Sequence, residues 1–139
     1  MIVSKSKIRI RYDEVDKMGY VYHGNYAKYY HISRTELLRK IGICDSSMET
    51  YNILMPVVDI SIKYLNPIFY DEIIVIKTIM LSIPTSRMKF SHEVYNQKNE
   101  IINKAESTVA FVNIDTRKPI RPSKIILDKI QSYIETQNY

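Results

Sequence analysis

Glycine and cysteine are scarce in this chain of 139 residues, which contains three glycines and one cysteine. A single cysteine, Cys44, excludes an intramolecular disulfide and a cysteine-based zinc site. We interpret it as a small buried hydrophobic residue. No apolar run is long enough to span a membrane. Charges throughout the N-terminal stretch MIVSKSKIRIRYDE exclude the apolar region of a signal peptide, so we expect a cytoplasmic protein.

The overall composition is that of an ordinary globular protein. Hydrophobic residues make up 45% and charged residues 25%, which excludes the low hydrophobicity typical of disordered chains. A chain of this length can form one real core, so we expect a single domain over residues 1–139. The formal net charge of +5 suits a nucleotide-bearing cofactor, an acidic carrier protein or nucleic acid. A merely basic surface explains the same charge.

Hydrophobic periodicity predicts one strand followed by one long helix. Residues 7–12, KIRIRY, alternate apolar and basic residues like a strand with one buried face. Apolar and small residues then recur at helical spacing over residues 26–41. The preceding Asn25 is a favoured N-cap, and Gly42 is placed for a left-handed C-terminal cap. The cations toward the helix end, where they favour the helix dipole, are Arg34, Arg39 and Lys40.

Four further strands and a short helix are predicted to follow. Segments 57–65, 71–83, 86–96 and 100–114 are rich in β-branched residues and are bounded by turn residues. Residues 125–134 carry a helical stripe. Because a helix stripe and a sheet face must bury each other, the order predicts an α+β fold with a mostly antiparallel sheet on one long helix. Ser33 in the stripe would allow close approach.

The loop between the first strand and the helix concentrates unusual residues. DEVDKMGYVYHGNY, residues 13–26, contains two of the three glycines and one of the three histidines. Gly19 would permit a tight bend or a close backbone approach. A helix N-terminus can hold an anion or polarise a carbonyl, and Asp16 and His23 would lie beside it. A carboxylate next to an oxyanion site is the minimum equipment for hydrolysing an activated acyl group.

The run RYDEVDKMGYVYHGNYAKYYHISRTELLRKIG resembles the signature of the hydroxybenzoyl-CoA thioesterase branch of the hotdog-fold acyl-CoA thioesterases. In that signature a strand leads into Asp-x-x-Gly-x-Val-x-His/Pro-x-x-Tyr and then into the central helix. The similarity extends through MPVVDISIKYLNPIFYDEIIVIKT, SRMKFSHEVYN and STVAFVNIDTRKPIRP, which is nearly the whole chain. It implies a hotdog fold: a five-stranded antiparallel sheet wrapped around one long helix, with a short C-terminal helix here. It also implies acyl-CoA thioesterase activity.

The resemblance implies roles for individual residues. Asp16 matches the catalytic carboxylate, acting as nucleophile or general base, and the backbone N–H near His23 matches the donor that polarises the thioester carbonyl. Many relatives have glutamate where this chain has His31, which leaves three roles open for it: a substitute, a substrate contact or a surface residue. The substrate-binding candidates in the stretch are Gly19, Tyr22, Asn25, Tyr26 and His31.

The resemblance also implies a homodimer or homotetramer, because the family builds its sites at a homodimer interface. Basic groups hold coenzyme A near the surface, and segments 84–89 and 117–121 are the candidates. Arg87 and Lys89 are the first choice. The substrate that the resemblance implies is an acyl-CoA or an acyl carrier protein thioester, so coenzyme A would enter with the substrate and no separate cofactor is expected.

Other residues have simpler interpretations. Asp13 and Glu14 are expected to face solvent or form salt bridges, and His92 to be a satisfied core or interface group. His23 and His31 lack the helical spacing of a metal pair, so we expect no metal site. The many tyrosines are explained by core packing and pocket lining, so nucleic acid is not expected as a partner. A hotdog dehydratase and a non-catalytic acyl-binding protein stay open as alternatives.

Overall fold

One long helix and eight strands make up most of the fold. The structure is a computed structural model and describes residues 1–137. Its elements in chain order are β1 (Ile2–Arg9), a 3-10 turn (Tyr12–Glu14), α1 (Asn25–Lys40), α2 (Asp45–Thr50), β2 (Ile53–Leu54), β3 (Val57–Tyr64), β4 (Ile73–Met80), β5 (Met88–Tyr95), β6 (Ile101–Val109), β7 (Phe111–Asn113), β8 (Pro119–Ile120) and α3 (Lys124–Gln137). Within that range no helix combines the length and apolarity needed to cross a membrane.

The large sheet has five antiparallel strands in the order β1-β4-β5-β6-β3, which confirms the predicted α+β arrangement. Helix α1 packs on β1 and β4. It lies within one residue of its predicted range at each end. The predicted cap at Gly42 is confirmed: its φ is +87°, and the amides of Gly42 and Ile43 donate to the carbonyls of Arg39 and Leu38.

The first strand starts and ends earlier than predicted. It covers Ile2–Arg9 rather than residues 7–12. Two of its inward positions are Ser4 and Ser6, so the apolar alternation is hidden over most of its length. Tyr12, which the alternation placed inside, lies in the 3-10 turn and is 78% exposed. The predicted strand and its inward positions Ile8 and Ile10 are confirmed, but its bounds and the inward position of Tyr12 were wrong.

The sequence pattern does not predict the second sheet, which is three-stranded in the order β2-β7-β8. The strand expected over residues 100–114 is interrupted after Val109. There the amide of Ala110 donates to the carbonyl of Pro56 instead of continuing the ladder with β5. The chain then enters the small sheet as β7. One apolar stretch therefore serves two sheets.

Cys44 precedes α2 and is not the buried hydrophobic residue that composition favours. It is half-buried, and its Sγ lies 3.5 Å from Ser46 Oγ and 3.2 Å from Ser47 Oγ. Hydrogen bonds with Ser46 and Ser47 lower the pKa of the thiol to about 7. The two serines in the first turn of α2 therefore give Cys44 a polar environment, although a free cysteine is usually a buried apolar residue.

The core divides into two clusters along α1. The distal cluster, around the C-terminal half of α1, is aliphatic and sulfur-rich: Ile2, Leu37, Leu38, Ile41, Ile43, Met48, Ile53, Met80, Met88, Phe90, Val109, Phe111, Ile126 and Ile130. The proximal cluster, around the N-terminal half, contains three tyrosines: Ile10, Val21, Tyr26, Tyr29, Tyr30, Ile68, Ile74, Ile76, Val94, Ile102 and Ala105. The predicted C-terminal helix is confirmed as α3, which closes the distal cluster.

Buried polar side chains cross the core near the boundary of the two clusters. Ser33 Oγ bonds to Thr78 Oγ1, which lies 2.9 Å from His92 Nδ1; His92 Nε2 lies 2.9 Å from Ser107 Oγ. The prediction of a satisfied core histidine is therefore confirmed. Burial, with a smaller effect of the Arg34 charge, lowers the pKa of His92 to about 3, so the ring is neutral in the folded protein.

Candidate functional site

Glu14 holds the loop between β1 and α1 in place. Its Oε1 accepts the amide of Arg11 at 2.7 Å, and its Oε2 accepts Lys28 Nζ at 2.6 Å. Its backbone carbonyl accepts the amide of Tyr22 at 3.0 Å and Asn25 Nδ2 at 2.8 Å. A single residue thus ties the start of the loop to its end and to the first turn of α1.

The charge of Glu14 is kept by its partners. Burial raises the pKa of its carboxyl, but hydrogen bonds from Lys28 and Arg11 and the charge of Lys28 outweigh burial and hold the pKa below its usual value. The salt bridge confirms one of the two interpretations of this residue, and Asp13 is exposed. The expected N-cap role of Asn25 is wrong. Gly24 is the cap residue, and the Asn25 side chain turns back to Glu14.

Asp16 lies in a tight turn that fixes one side of its carboxylate. Its amide donates to Tyr20 and its carbonyl accepts from Gly19, while Oδ1 accepts the amide of Met18 at 2.9 Å. Gly19 has φ +88°, and a Cβ there would meet nothing within 4 Å. The bend, and not a close approach, therefore explains this glycine. Within residues 1–137 the other oxygen, Oδ2, has no hydrogen-bond partner. It is therefore free to contact a ligand in the cavity.

His23 and Gly24 form the turn that leads into α1. The Tyr64 hydroxyl, at the end of β3, donates to the carbonyl of His23 at 3.0 Å. Over the described part of the chain the amides of His23 and Gly24 have no hydrogen-bond acceptor. A Cβ on Gly24 would lie 2.6 Å from the ring of Tyr22, so this glycine is explained by a close approach. The turn presents two free donors at the positive end of the helix dipole.

Asp16 and His23 line the same cavity, of about 410 Å³. The predicted residue Tyr26 also lines it, and its ring meets Tyr64 edge-on at 5.2 Å between centroids. Burial raises the pKa of Tyr26 to about 12, so its hydroxyl is neutral at physiological pH. The rest of the wall consists of Met18, Tyr20, Val21, Tyr64, Leu65, Asn66 and Pro67.

The contribution of residues 64–67 is not visible in the sequence pattern. They end β3 and start the following turn, about 40 residues after the loop that carries Asp16. The Asn66-Pro67 pair indicates a turn, but only the sheet topology brings that turn to the N-terminus of α1. The isolated bridge between Tyr20 and Phe69 marks the same approach of the two segments.

Three other predicted residues lie near the cavity without lining it. Gly19 shapes the Asp16 turn and Asn25 fastens the loop to Glu14. Tyr22 is exposed and tilts against His23 with 4.3 Å between ring centroids. Their contribution is to the shape of the loop.

Arg87 and Lys89 lie elsewhere. They line a second cavity, of about 590 Å³, with Asp59 and Thr108 among its other wall residues. Asp59 lines the second cavity and Tyr64 the first, and the two residues are five steps apart along β3, about 17 Å by the rise of a strand. Segment 117–121 lines neither cavity. The structure does not bring the predicted coenzyme A grip to Asp16 within one chain.

Arg34 and His31 form a third group, on α1. The pattern placed Arg34 among the cations near the helix end, but its side chain is inside the protein and only 4% exposed. Its Nη1 lies 3.4 Å from Ser107 Oγ, and its Nη2 lies 3.1 Å from Nδ1 of the exposed His31. Burial lowers the pKa of Arg34. A single charged residue within an apolar stripe is ambiguous, so the sequence offers only a weak indication of this burial.

Comparison with known proteins identifies the family. The model of the thioesterase-like superfamily matches residues 10–130. The chain belongs to this superfamily. It is 37% identical over 133 residues to the putative acyl-CoA thioesterase YneP of Bacillus subtilis, with 96% of each chain covered. It is 28% identical over 112 residues to the acyl-CoA thioester hydrolase YbgC of Escherichia coli, covering 81% of this chain and 84% of that protein.

A solved thioesterase structure shares the fold closely. The crystal structure of the DHNA-CoA thioesterase from Staphylococcus aureus superposes with a TM-score of 0.89 at 34% identity, and the match covers 99% of this chain and 93% of that one. The hotdog fold implied by the resemblance is thereby confirmed. In the described residues no group of three or more His, Cys, Asp or Glu side chains is arranged to hold a metal ion.

Proposed function

We propose that this chain hydrolyses acyl-CoA thioesters to a carboxylic acid and free coenzyme A, with Asp16 at the reacting centre. The observation that carries the proposal is the juxtaposition of Asp16 and His23 at one cavity, in a turn where the amides of His23 and Gly24 have no acceptor within residues 1–137. The names of YneP and YbgC and of the Staphylococcus aureus thioesterase support coenzyme A as the leaving group.

The geometry fits two forms of the reaction. In one, Asp16 Oδ2 attacks the thioester carbonyl, the thiolate leaves, and water hydrolyses the mixed anhydride. In the other, Asp16 removes a proton from a water molecule that attacks the carbonyl directly, and the resulting tetrahedral intermediate expels the coenzyme A thiolate to give the carboxylic acid. Both place negative charge on the carbonyl oxygen, where the amides of His23 and Gly24 would stabilise it. Met18 N–H orients the carboxylate through Oδ1 in either case.

We further propose a homodimer formed through β3. The sheet has two free edges, β1 and β3. Edge β1 carries exposed Lys5, Lys7 and Arg9, which discourage pairing with another strand. Edge β3 instead has exposed Val57 and Val58 at one end. A two-fold axis needs a self-complementary edge, and apolar side chains on β3 fit that requirement.

Antiparallel pairing of β3 about Ser61 would complete the site. That register sets Asp59 opposite Lys63 of a second copy and Val58 opposite the second copy's Tyr64, which pairs unlike charges and apolar groups. The cavity that contains Arg87 and Lys89 would then adjoin the second copy's Asp16 cavity. The two basic residues are proposed to hold the phosphates of coenzyme A across the interface.

Replacing Arg87 tests this grip. Arg87→Ala should raise KM for an acyl-CoA about tenfold or more while kcat stays similar, because a charge-assisted contact outside the reacting centre is lost. A pantetheine thioester, which lacks the nucleotide phosphates, should be hydrolysed equally well by both proteins. Equal losses on both substrates would contradict the grip, and a monomeric mass of an active enzyme in light scattering would contradict the dimer.

A panel of thioesters tests the function itself. Saturated acyl-CoA esters of increasing length, DHNA-CoA and one acyl carrier protein thioester are assayed for thiol release. The proposal expects turnover of coenzyme A esters. Turnover restricted to the carrier protein would move the assignment to an acyl carrier protein thioesterase, in line with the net charge of +5. Hydration of an enoyl-CoA without thiol release would indicate a dehydratase, and saturable binding without turnover a binding protein.

A further inference from the structure

Among residues 1–137 two charged side chains are almost fully buried, Glu14 at 3% and Arg34 at 4% exposed. Glu14 has a cation, Lys28, at 2.6 Å. Arg34 has no such contact partner: over residues 1–137 no carboxylate oxygen lies within 4.0 Å of its guanidinium, and the charge of Asp45 acts on it only from a greater distance. A guanidinium has five N–H donors, and the contacts recorded for Arg34 are one hydroxyl at 3.4 Å and the ring of His31. Buried charges are normally paired.

The position of Arg34 relates it to the Asp16 cavity. Tyr26 lines that cavity, and Tyr30 and Arg34 follow it at intervals of four residues, on one face of α1. Arg34 is therefore about 12 Å further along the helix axis. Tyr30 and Arg34 both extend away from β1 and β4 to reach Asn103 and Ser107 on β6.

The sheet side of this stripe is incompletely covered. Strand β3 lies beyond β6 at the edge of the sheet, and its inward residues Ile60 and Ile62 are only half-buried. On β4, by contrast, the inward residues Ile74 and Ile76 are fully buried under α1. In the ladder Ile60 lies opposite Ser107 and Ile62 opposite Ala105, so these two residues form an apolar strip on the side of the sheet where Arg34 contacts Ser107.

We infer that Arg34 binds a carboxylate at the far end of the substrate's acyl chain, so that the enzyme prefers acyl groups that carry a terminal carboxylate. The inference rests on the proposed thioesterase function. With the thioester carbonyl at the N-terminus of α1 and the chain along the strip, the far end of a chain of matching length reaches the guanidinium. A carboxylate accepts two parallel N–H bonds from an arginine, which is the strongest form of this contact.

Matched substrate pairs test the preference. Each pair consists of an acyl-CoA with a terminal carboxylate and a saturated acyl-CoA with the same number of carbons, and the readout is the ratio of their kcat/KM values across chain lengths. The wild type should favour the carboxylate at the length that reaches Arg34. Arg34→Met should lower that ratio about 10- to 100-fold, and Arg34→Lys less, because lysine keeps the charge without the fork.

Arg39→Met is the matched control. It removes an exposed arginine from the same helix, paired with Glu36, and should leave the ratio at its wild-type value. If Arg34→Met does not fold, Arg34→Lys, in which a positive charge is kept, carries the test. Hydrolysis of the saturated substrates by the wild type reports separately on the thioesterase function, so its failure is distinguishable from failure of the inference.

Two results would overturn the inference. One is a wild-type enzyme that hydrolyses saturated substrates but shows no preference for a terminal carboxylate at any length. The other is an equal fall in kcat/KM for both substrates of a pair in Arg34→Met or Arg34→Lys, together with a smaller average mass in light scattering because the dimer has dissociated. That outcome would assign Arg34 to an ion pair with a second copy of the chain.

Discussion

The two halves of α1 are packed in different ways. Its C-terminal half lies in the distal cluster, among aliphatic, methionine and phenylalanine side chains, and ends in a cap closed by α3. Its N-terminal half packs through Tyr26, Tyr29 and Tyr30, next to a loop held by directed hydrogen bonds to Glu14. Apolar packing stabilises the fold around the C-terminal half of α1. Hydrogen bonds of defined geometry hold the loop that carries Asp16 at the N-terminal half. Substitutions in the two halves should therefore separate stability from activity.

The largest expected effect on stability is in the distal cluster. Leu37 is fully buried there, so Leu37→Ala should lower the free energy of unfolding by about 2–5 kcal/mol through lost burial and the cavity left behind. Urea unfolding measures this change. The kcat/KM of the remaining folded enzyme should equal that of the wild type. A large loss of activity per folded molecule would show that the two halves are not independent.

A pH-dependent loss of stability is expected from His92, near the boundary of the clusters. Its pKa is about 3 in the folded protein and 6.5 when unfolded. Below pH 6.5 the unfolded chain therefore binds a proton that the folded chain does not, and the free energy of unfolding falls by at most about 1.4 kcal/mol per pH unit. Above pH 6.5 this residue contributes no slope.

Urea unfolding of the wild type and of His92→Gln between pH 8 and pH 5 checks the effect of His92. The variant should be less stable at pH 8 because the buried hydrogen bonds change, and the slope below pH 6.5 should be reduced. Parallel curves for the two proteins would contradict the buried, neutral histidine.

A smaller and sharper comparison uses two glycines. Gly19 and Gly42 have φ of +88° and +87°, and neither is crowded: the first has nothing within 4 Å of an added Cβ, and the second only Lys129 atoms at 3.5 Å and beyond. Alanine at either site should cost about 1–2 kcal/mol of backbone strain. Because Gly19 shapes the Asp16 turn, only Gly19→Ala should also lower kcat.

Thermal unfolding and steady-state kinetics on both glycine variants check this pair. Equal loss of kcat in the two variants would show that the proposed distinction between the halves is absent. Equal loss of stability with a lower kcat only in Gly19→Ala would show that the backbone turn at Asp16 is needed for activity, whereas the cap at Gly42 is needed only for stability.

Much of the fold follows from periodicity in the sequence. The stripe of α1, the β-branched runs and the turn at Gly42 all depend on neighbours along the chain, and these predictions are confirmed. The first strand was misplaced because Ser4 and Ser6 occupy inward positions. The small sheet was missed because its strands have only two or three residues each and depend on pairing across the fold.

The candidate site was only partly visible in the sequence. The loop signature brings Asp16 and His23 to the start of α1, because both are near the helix in sequence. Tyr64 reaches the same cavity only through the topology of the sheet. The burial of Arg34 depends on how far α1 is displaced toward β1 and β4, which no local pattern encodes.

The most direct test of the proposed reaction is the turnover number of Asp16→Asn. The substitution keeps the size of the side chain and an oxygen to accept the Met18 amide, but removes the charge needed for attack or for proton abstraction. With folding verified and host thioesterase excluded, kcat should fall on the order of 10² to 10⁴. The exposed neighbour provides the control, since Asp13→Asn should keep wild-type turnover. Near-normal turnover by folded Asp16→Asn would contradict the account.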